Sequence, residues 1–116
     1  MHAAQNQQSN KFRKQTKMQE VYAKLQKNGK DTVLTICDAE LLGQTLQEGK
    51  ITFKIKDEFY NGGKTTVDEA VNMIKNATIV NLVGKHCIEK AIQNGHIHPD
   101  AILTINSVPH AQIMKL

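Results

Sequence analysis

From Glu20 onward the chain alternates. Val21, Ala23 and Leu25 are apolar, while Tyr22, Lys24 and Gln26 between them carry a polar group. A repeat of two residues is that of a strand with one buried face, because successive side chains of extended backbone point to opposite sides. Asn28-Gly29 follows, and a β-prone run from Thr32 to Cys37 comes straight after it. Asn-Gly tolerates the positive φ of a type I′ turn, so the two runs are predicted to pair as a β-hairpin. Ile51, Phe53 and Ile55 alternate with Thr52, Lys54 and Lys56, which predicts a third strand, antiparallel to a neighbour, with one apolar and one wet face.

The period then changes. Asn61-Gly62-Gly63 breaks the alternation, and Val67, Ala70, Val71 and Ile74 fall at helical spacing, one stripe to face a sheet. Thr66-Val67-Asp68-Glu69 has the form of a capping box, in which the Thr66 hydroxyl and the Glu69 carboxylate each satisfy the other's backbone amide. Thr78 to Val83 is a largely apolar run ending at Gly84. Lys85 to Asn94 then reads as a helix with Ile88, Ala91 and Ile92 on one side and Gly95 as its stop. Ile102, Leu103 and Ile105 predict a fifth strand, and Val108-Pro109-His110 opens a C-terminal extended segment. Between the hairpin and the third strand, Asp38 is placed to cap a short turn, Ala39 to Leu42, that Gly43 closes. The order β-β-β-α-β-α-β predicts an α+β fold: a mixed, largely antiparallel sheet of about five strands with two helices on one face.

Composition bounds this picture. A chain of 116 residues holds one hydrophobic core. Aromatic residues make up only 4%, so the core is aliphatic and stacking platforms are few. Residues 1–18 are rich in Gln and Asn and nearly free of large apolar side chains, so they are expected as a flexible basic tail ahead of a single α+β domain over residues 19–116. That tail holds Lys11, Arg13, Lys14 and Lys17 and no acid. Of the 15 Lys and Arg it therefore takes four, which leaves 11 against 11 Asp and Glu in the remainder. The attraction for phosphate implied by the net charge of +4 belongs to the tail, unless the charges of the body are segregated onto different faces. Two cysteines far apart fit a reducing compartment. No run approaches the roughly 18 apolar residues of a membrane span, and the opening residues have no apolar signal core, so a cytoplasmic protein without membrane contact is expected.

Three constellations bear on chemistry. At Asn81-Leu82-Val83-Gly84-Lys85-His86 an apolar strand turns into a helix through one glycine, and free amides at Gly84 and Lys85 would favour an anion. Neither a P-loop nor a dinucleotide fingerprint is present, and no cofactor is implied; a glycine needed only for a sharp turn is the simpler account. Cys37, Asp38 and His110 are the residues a thiol enzyme would need, the imidazole to deprotonate the sulfur and the carboxylate to orient it. Against that, a cysteine ending an apolar strand is ordinarily a small buried hydrophobe, and Cys87 reads as core packing. His86, Cys87, His96, His98 and His110 are zinc-type ligands, yet their spacing matches no structural zinc site and no metal is expected. Phe59-Tyr60 before Asn61-Gly62-Gly63 either seals an edge of the sheet or forms a recognition loop.

Taken together, Cys37-Asp38-Ala39-Glu40-Leu41-Leu42-Gly43, Phe59-Tyr60-Asn61-Gly62, Asn81-Leu82-Val83-Gly84 and Val108-Pro109-His110-Ala111-Gln112 resemble, in order, an archaeal family catalogued as domain of unknown function four hundred and twenty-four. The resemblance runs from about Glu20 to Ile113. It implies an archaeal cytoplasmic protein of roughly this length and brings no activity, substrate or cofactor with it. The residues before Glu20 and the His96-x-His98 pair look like departures from that pattern. Its motifs fall at Gly43, Gly62, Gly84 and Pro109, where backbone geometry is demanding, but they also contain Asp38, Tyr60, Asn81, His110 and Gln112, which turn geometry does not explain. If those polar side chains converge they form a site; if scattered, they are caps and turn bonds.

The expected function is a non-catalytic binding module associated with RNA or the translation machinery, its tail meeting phosphate. Candidate ligand-binding residues on the body are Tyr60, Asn81, Gly84, Lys85 and Gln112. The alternatives are a small enzyme or anion-binding protein built on Cys37 with His110 or on Gly84-Lys85, and a protein-protein adaptor, which calls for a contiguous exposed apolar patch.

Overall fold

A computed structural model describes residues 19–116; the segment bearing Lys11, Arg13, Lys14 and Lys17, and with it the expected tail, lies outside the described residues. The described chain runs through β1 (Glu20–Asn28), β2 (Asp31–Asp38), β3 (Thr45–Glu48), β4 (Ile51–Lys54), α1 (Asp57–Tyr60) and β5 (Lys64–Thr66). It continues as α2 (Val67–Asn72), β6 (Ile79–Val83), α3 (Lys85–Gln93), β7 (Leu103–Ile105) and β8 (Val108–Met114). Short 3-10 turns follow β2, extend α2 and precede β7.

Six strands form one mixed sheet in the order β5-β1-β2-β6-β8-β7. Its pairs are antiparallel except β2 with β6. The α+β class, the largely antiparallel mixed sheet and the two helices on one face are as the periodicity predicts. Val21, Leu34, Ile36, Val80 and Leu82 point from the strands toward α2 and α3, meeting Val67, Ala70, Val71, Ile74, Ile88 and Ala91. Burying each of the larger side chains contributes about 1.5–3 kcal/mol, which is why this aliphatic layer, and not local propensity, holds the helices down.

Several local expectations are corrected. The strand expected third, β4, is not in the main sheet: it pairs with β3 as a separate two-stranded hairpin, Leu46 opposite Phe53, turning at Gly49. The β1–β2 turn centres on Gly29 and Lys30, with Asn28 paired to Asp31, and Gly29 alone of the two has positive φ, the pattern of a type II′ turn. The type I′ turn lies instead between β7 and β8, where Asn106 and Ser107 both have positive φ, 48° and 67°. The C-terminal extended segment is β8, seated between β6 and β7. Half of the capping box forms: the Glu69 amide donates to the Thr66 hydroxyl, while the Glu69 carboxylate accepts from the Thr65 hydroxyl.

The hairpin of β3 and β4 and the single turn of α1 lie over one end of the sheet face opposite the helices. There Leu46, Ile55 and Tyr60 bury Cys37, Val83 and Ile105 in a second, smaller core. The rest of that face is left open.

Candidate functional site

The uncovered part of the sheet floors an open trough of about 800 Å³. Strand register fixes the floor: Thr35 of β2 lies opposite Asn81 of β6, and Asn81 opposite Gln112 of β8, so the three side chains form one polar row across three strands. The same register places Val83 opposite His110, one step nearer the covered end. Around the row stand Phe53, Lys54 and Lys56 from the hairpin and its exit, Phe59 and Tyr60 from α1, and Leu103 from β7. Among the described residues no Asp or Glu side chain lines it.

The aromatic pair divides its labour. Tyr60 is 7% exposed and packs in the smaller core, whereas Phe59 is 57% exposed, with the Lys56 ammonium 5.4 Å from its ring centre. The turn that presents Phe59 is tied to the sheet by its carbonyls: Thr35 Oγ1 donates to the Phe59 carbonyl and Lys24 Nζ to that of Glu58, each at 2.6 Å. The chain leaving the turn passes directly against β1, where Gly63 accepts the Ala23 amide and a Cβ on Gly62 would stand 2.5 Å from the Ala23 oxygen. That close approach accounts for Gly62, and a φ of 130° for Gly63.

Of the polar motif residues and the ligand-binding candidates, Tyr60, Asn81, His110 and Gln112 line this trough. Asp38, Gly84 and Lys85 do not. Because β2 and β6 run parallel with Cys37 opposite Val83, the residues that follow, Asp38 and Gly84, come side by side. Asp38, 2% exposed, accepts the His86 amide at 2.8 Å through Oδ2 and the Cys87 amide at 3.0 Å through Oδ1. It makes no side-chain cap to the turn after β2. The His86 and Cys87 amides at the start of α3 thus already hold an internal carboxylate and the Gly84 amide donates to the Pro109 carbonyl, which speaks for the simpler reading of Gly84 as a turn residue over the alternative of an anion site at Gly84-Lys85. Burial raises the Asp38 pKa above its ordinary value; the two amide bonds pull the other way without cancelling the rise.

The thiol arrangement does not form. Cys37 and His110 lie on the same sheet face but on strands separated by β6, with Val83 between them in the row. Cys37 is fully buried, and burial first, then the neighbouring Asp38 charge, pushes its thiol up to about 12. His110 is 9% exposed, its ring edge-on to Phe53 at 4.7 Å, its Nε2 buried without a partner, and burial lowers its pKa. Cys87 is core, as expected, its thiol donating to the Val83 carbonyl. Asp38, Glu40 and His86 each bring a ligand atom within 4.8 Å of the others and are the described residues that could hold a cation, though both Asp38 oxygens already accept amides of α3. In the loop, His98 Nδ1 accepts the Asp100 amide.

Among the trough residues that sequence reasoning did not assign to a site are Thr35, Phe53, Lys54 and Lys56. The alternation from Ile51 to Lys56 put both lysines on a wet face; what it lacked was the placement of β4 over the sheet.

No helix among the described residues is long and apolar enough to cross a membrane. No curated protein matches the chain. A solved structure of an uncharacterised conserved protein from Methanopyrus kandleri superposes with a TM-score of 0.73 at 27% identity, over 84% of this chain and 94% of that one. Residues 25–116, which hold β2, the trough and the Asp38–α3 junction, match the model of the protein of unknown function family DUF424, and the chain belongs to that family.

Proposed function

We propose that the protein is a non-catalytic binding module that lays a single strand of RNA across the open face of its sheet, in a ribonucleoprotein setting such as the translation machinery. The observation that carries this reading is the lining of the trough, which among the described residues consists of two lysines, side-chain amides, aromatic rings and apolar groups with no carboxylate, on a body whose basic and acidic residues are equal in number. Local field, not net charge, decides where phosphate is attracted. Phe59 offers an exposed π-face, and stacking one base on such a ring contributes about 1–3 kcal/mol. Lys11, Arg13, Lys14 and Lys17 add attraction that does not depend on sequence. The buried, high-pKa thiol of Cys37 and its separation from His110 favour binding over nucleophilic chemistry.

The test is a fluorescence-anisotropy titration of the full chain with short single-stranded RNA over a series of salt concentrations. The logarithm of affinity should fall linearly with the logarithm of salt, by about 0.7 for each phosphate neutralised. Lys54→Gln and Lys56→Gln should each make the slope shallower by about that amount. No binding at the lowest salt, or an affinity indifferent to salt, overturns the reading.

A further inference from the structure

Resting on that reading, we infer that Asn81 and Gln112 read the edge of one nucleobase, so that the trough discriminates among bases instead of holding any strand equally well. The two residues are direct cross-strand partners on one face of the β6–β8 ladder. Such partners have Cβ atoms about 4.5–5.5 Å apart, which sets two planar amides side by side. Each amide carries both donor and acceptor capacity, and neither has a hydrogen-bond partner among the described residues, whereas the third member of the row, Thr35, donates its hydroxyl to the Phe59 carbonyl. Asn81 is half-buried, so a ligand that satisfies it removes part of the cost of leaving an amide without partners.

The combination narrows the occupant. A free inorganic anion would use Lys54 and Lys56 but leave the amides idle. A neutral extended peptide would use the amides but leave the lysines idle. A nucleotide uses both, and its flat base also fits beside the exposed ring of Phe59. Unstacked bases in RNA are recognised in this manner, by an aromatic face together with hydrogen bonds to the Watson–Crick or Hoogsteen edge.

The experiment compares the four homopolymeric RNA oligonucleotides on the full-length chain at one low salt concentration. One base should bind about fivefold or more tighter than the weakest, the discrimination expected of a good bidentate contact. Gln112→Ala, at an exposed position, should bring the four affinities together. Gln112→Glu, which exchanges the amide donor for an acceptor, should change their rank order. Lys56→Gln should lower all four while keeping the order. Salt-sensitive binding that is equal for all four bases overturns base reading and leaves the module intact. A preference that survives Gln112→Ala unchanged overturns the assignment to these amides. Failure to bind any of the four, or tight salt-insensitive binding of a neutral peptide in their place, overturns the module as well.

Discussion

A carboxylate with 2% exposure needs donors, and Asp38 finds them 48 and 49 residues away at His86 and Cys87. Read locally, Asp38 before Ala39-Glu40-Leu41 is the natural cap of the next turn, and sequence offers nothing against it. Tertiary structure prevails because a nine-residue helix presents orphan amides along its axis, while the turn after β2 is three residues of 3-10 helix. The same placement decides the fate of Cys37, the preceding residue. A thiol held at about 12 by burial and by the Asp38 charge has about a thousandfold less thiolate at neutral pH than an ordinary one. Cys37 is therefore expected to alkylate far more slowly in the folded chain than after denaturation. Mass-spectrometric quantification of iodoacetamide labelling with and without urea measures this, and a native rate equal to the denatured rate would remove the case against thiol chemistry.

Elements were legible where their periodicity is self-contained. Val21-Ala23-Leu25 declares β1 without help, and Val67, Ala70, Val71 and Ile74 declare α2. Strands β3 and β5 were not, since Thr45–Glu48 and Lys64–Thr66 are short and mostly polar, and exist only because a neighbouring strand satisfies their backbone. The trough was half legible for the same reason. Tyr60, Asn81, His110 and Gln112 stood out as polar groups in turn-rich motifs, but Lys54 and Lys56 join them only through the fold of a hairpin that leaves the main sheet. The β6–α3 junction is the element-scale feature most open to test. Gly84 has φ of 119°, disfavoured for other residues, and a Cβ there would overlap the Asp38 carboxyl group. Gly84→Ala is expected to cost about 2–4 kcal/mol, combining backbone strain with a displaced cap. Urea unfolding followed by circular dichroism measures it, and a loss below about 0.5 kcal/mol, the level of an ordinary surface change, would show that the junction yields freely.

Across the whole molecule, two buried titrating groups give stability opposite dependences on pH. Burial lowers the His110 pKa below its ordinary 6.5, so the unfolded chain takes up that proton before the folded one does. The stability owed to a neutral His110 is complete above the ordinary histidine range, declines as pH falls through it, and levels off below the folded pKa. Asp38 has the reverse sign. Its folded pKa is raised above 3.8, so its contribution is complete below the ordinary carboxylate range and is lost as pH rises through the raised value. Acidification should lower stability through His110 and raise it through Asp38, each between the ordinary and the shifted pKa of that group. His110→Leu removes the first of these, and it also removes an Nε2 that lies buried without a partner beside Phe53. Between about pH 7.5 and about pH 5 the urea midpoint of the wild-type chain should therefore decline relative to that of His110→Leu, the gap between the two curves changing as pH drops. Parallel curves would mean that His110 titrates alike in both states, and that the covered end of the trough admits enough water to solvate its imidazolium.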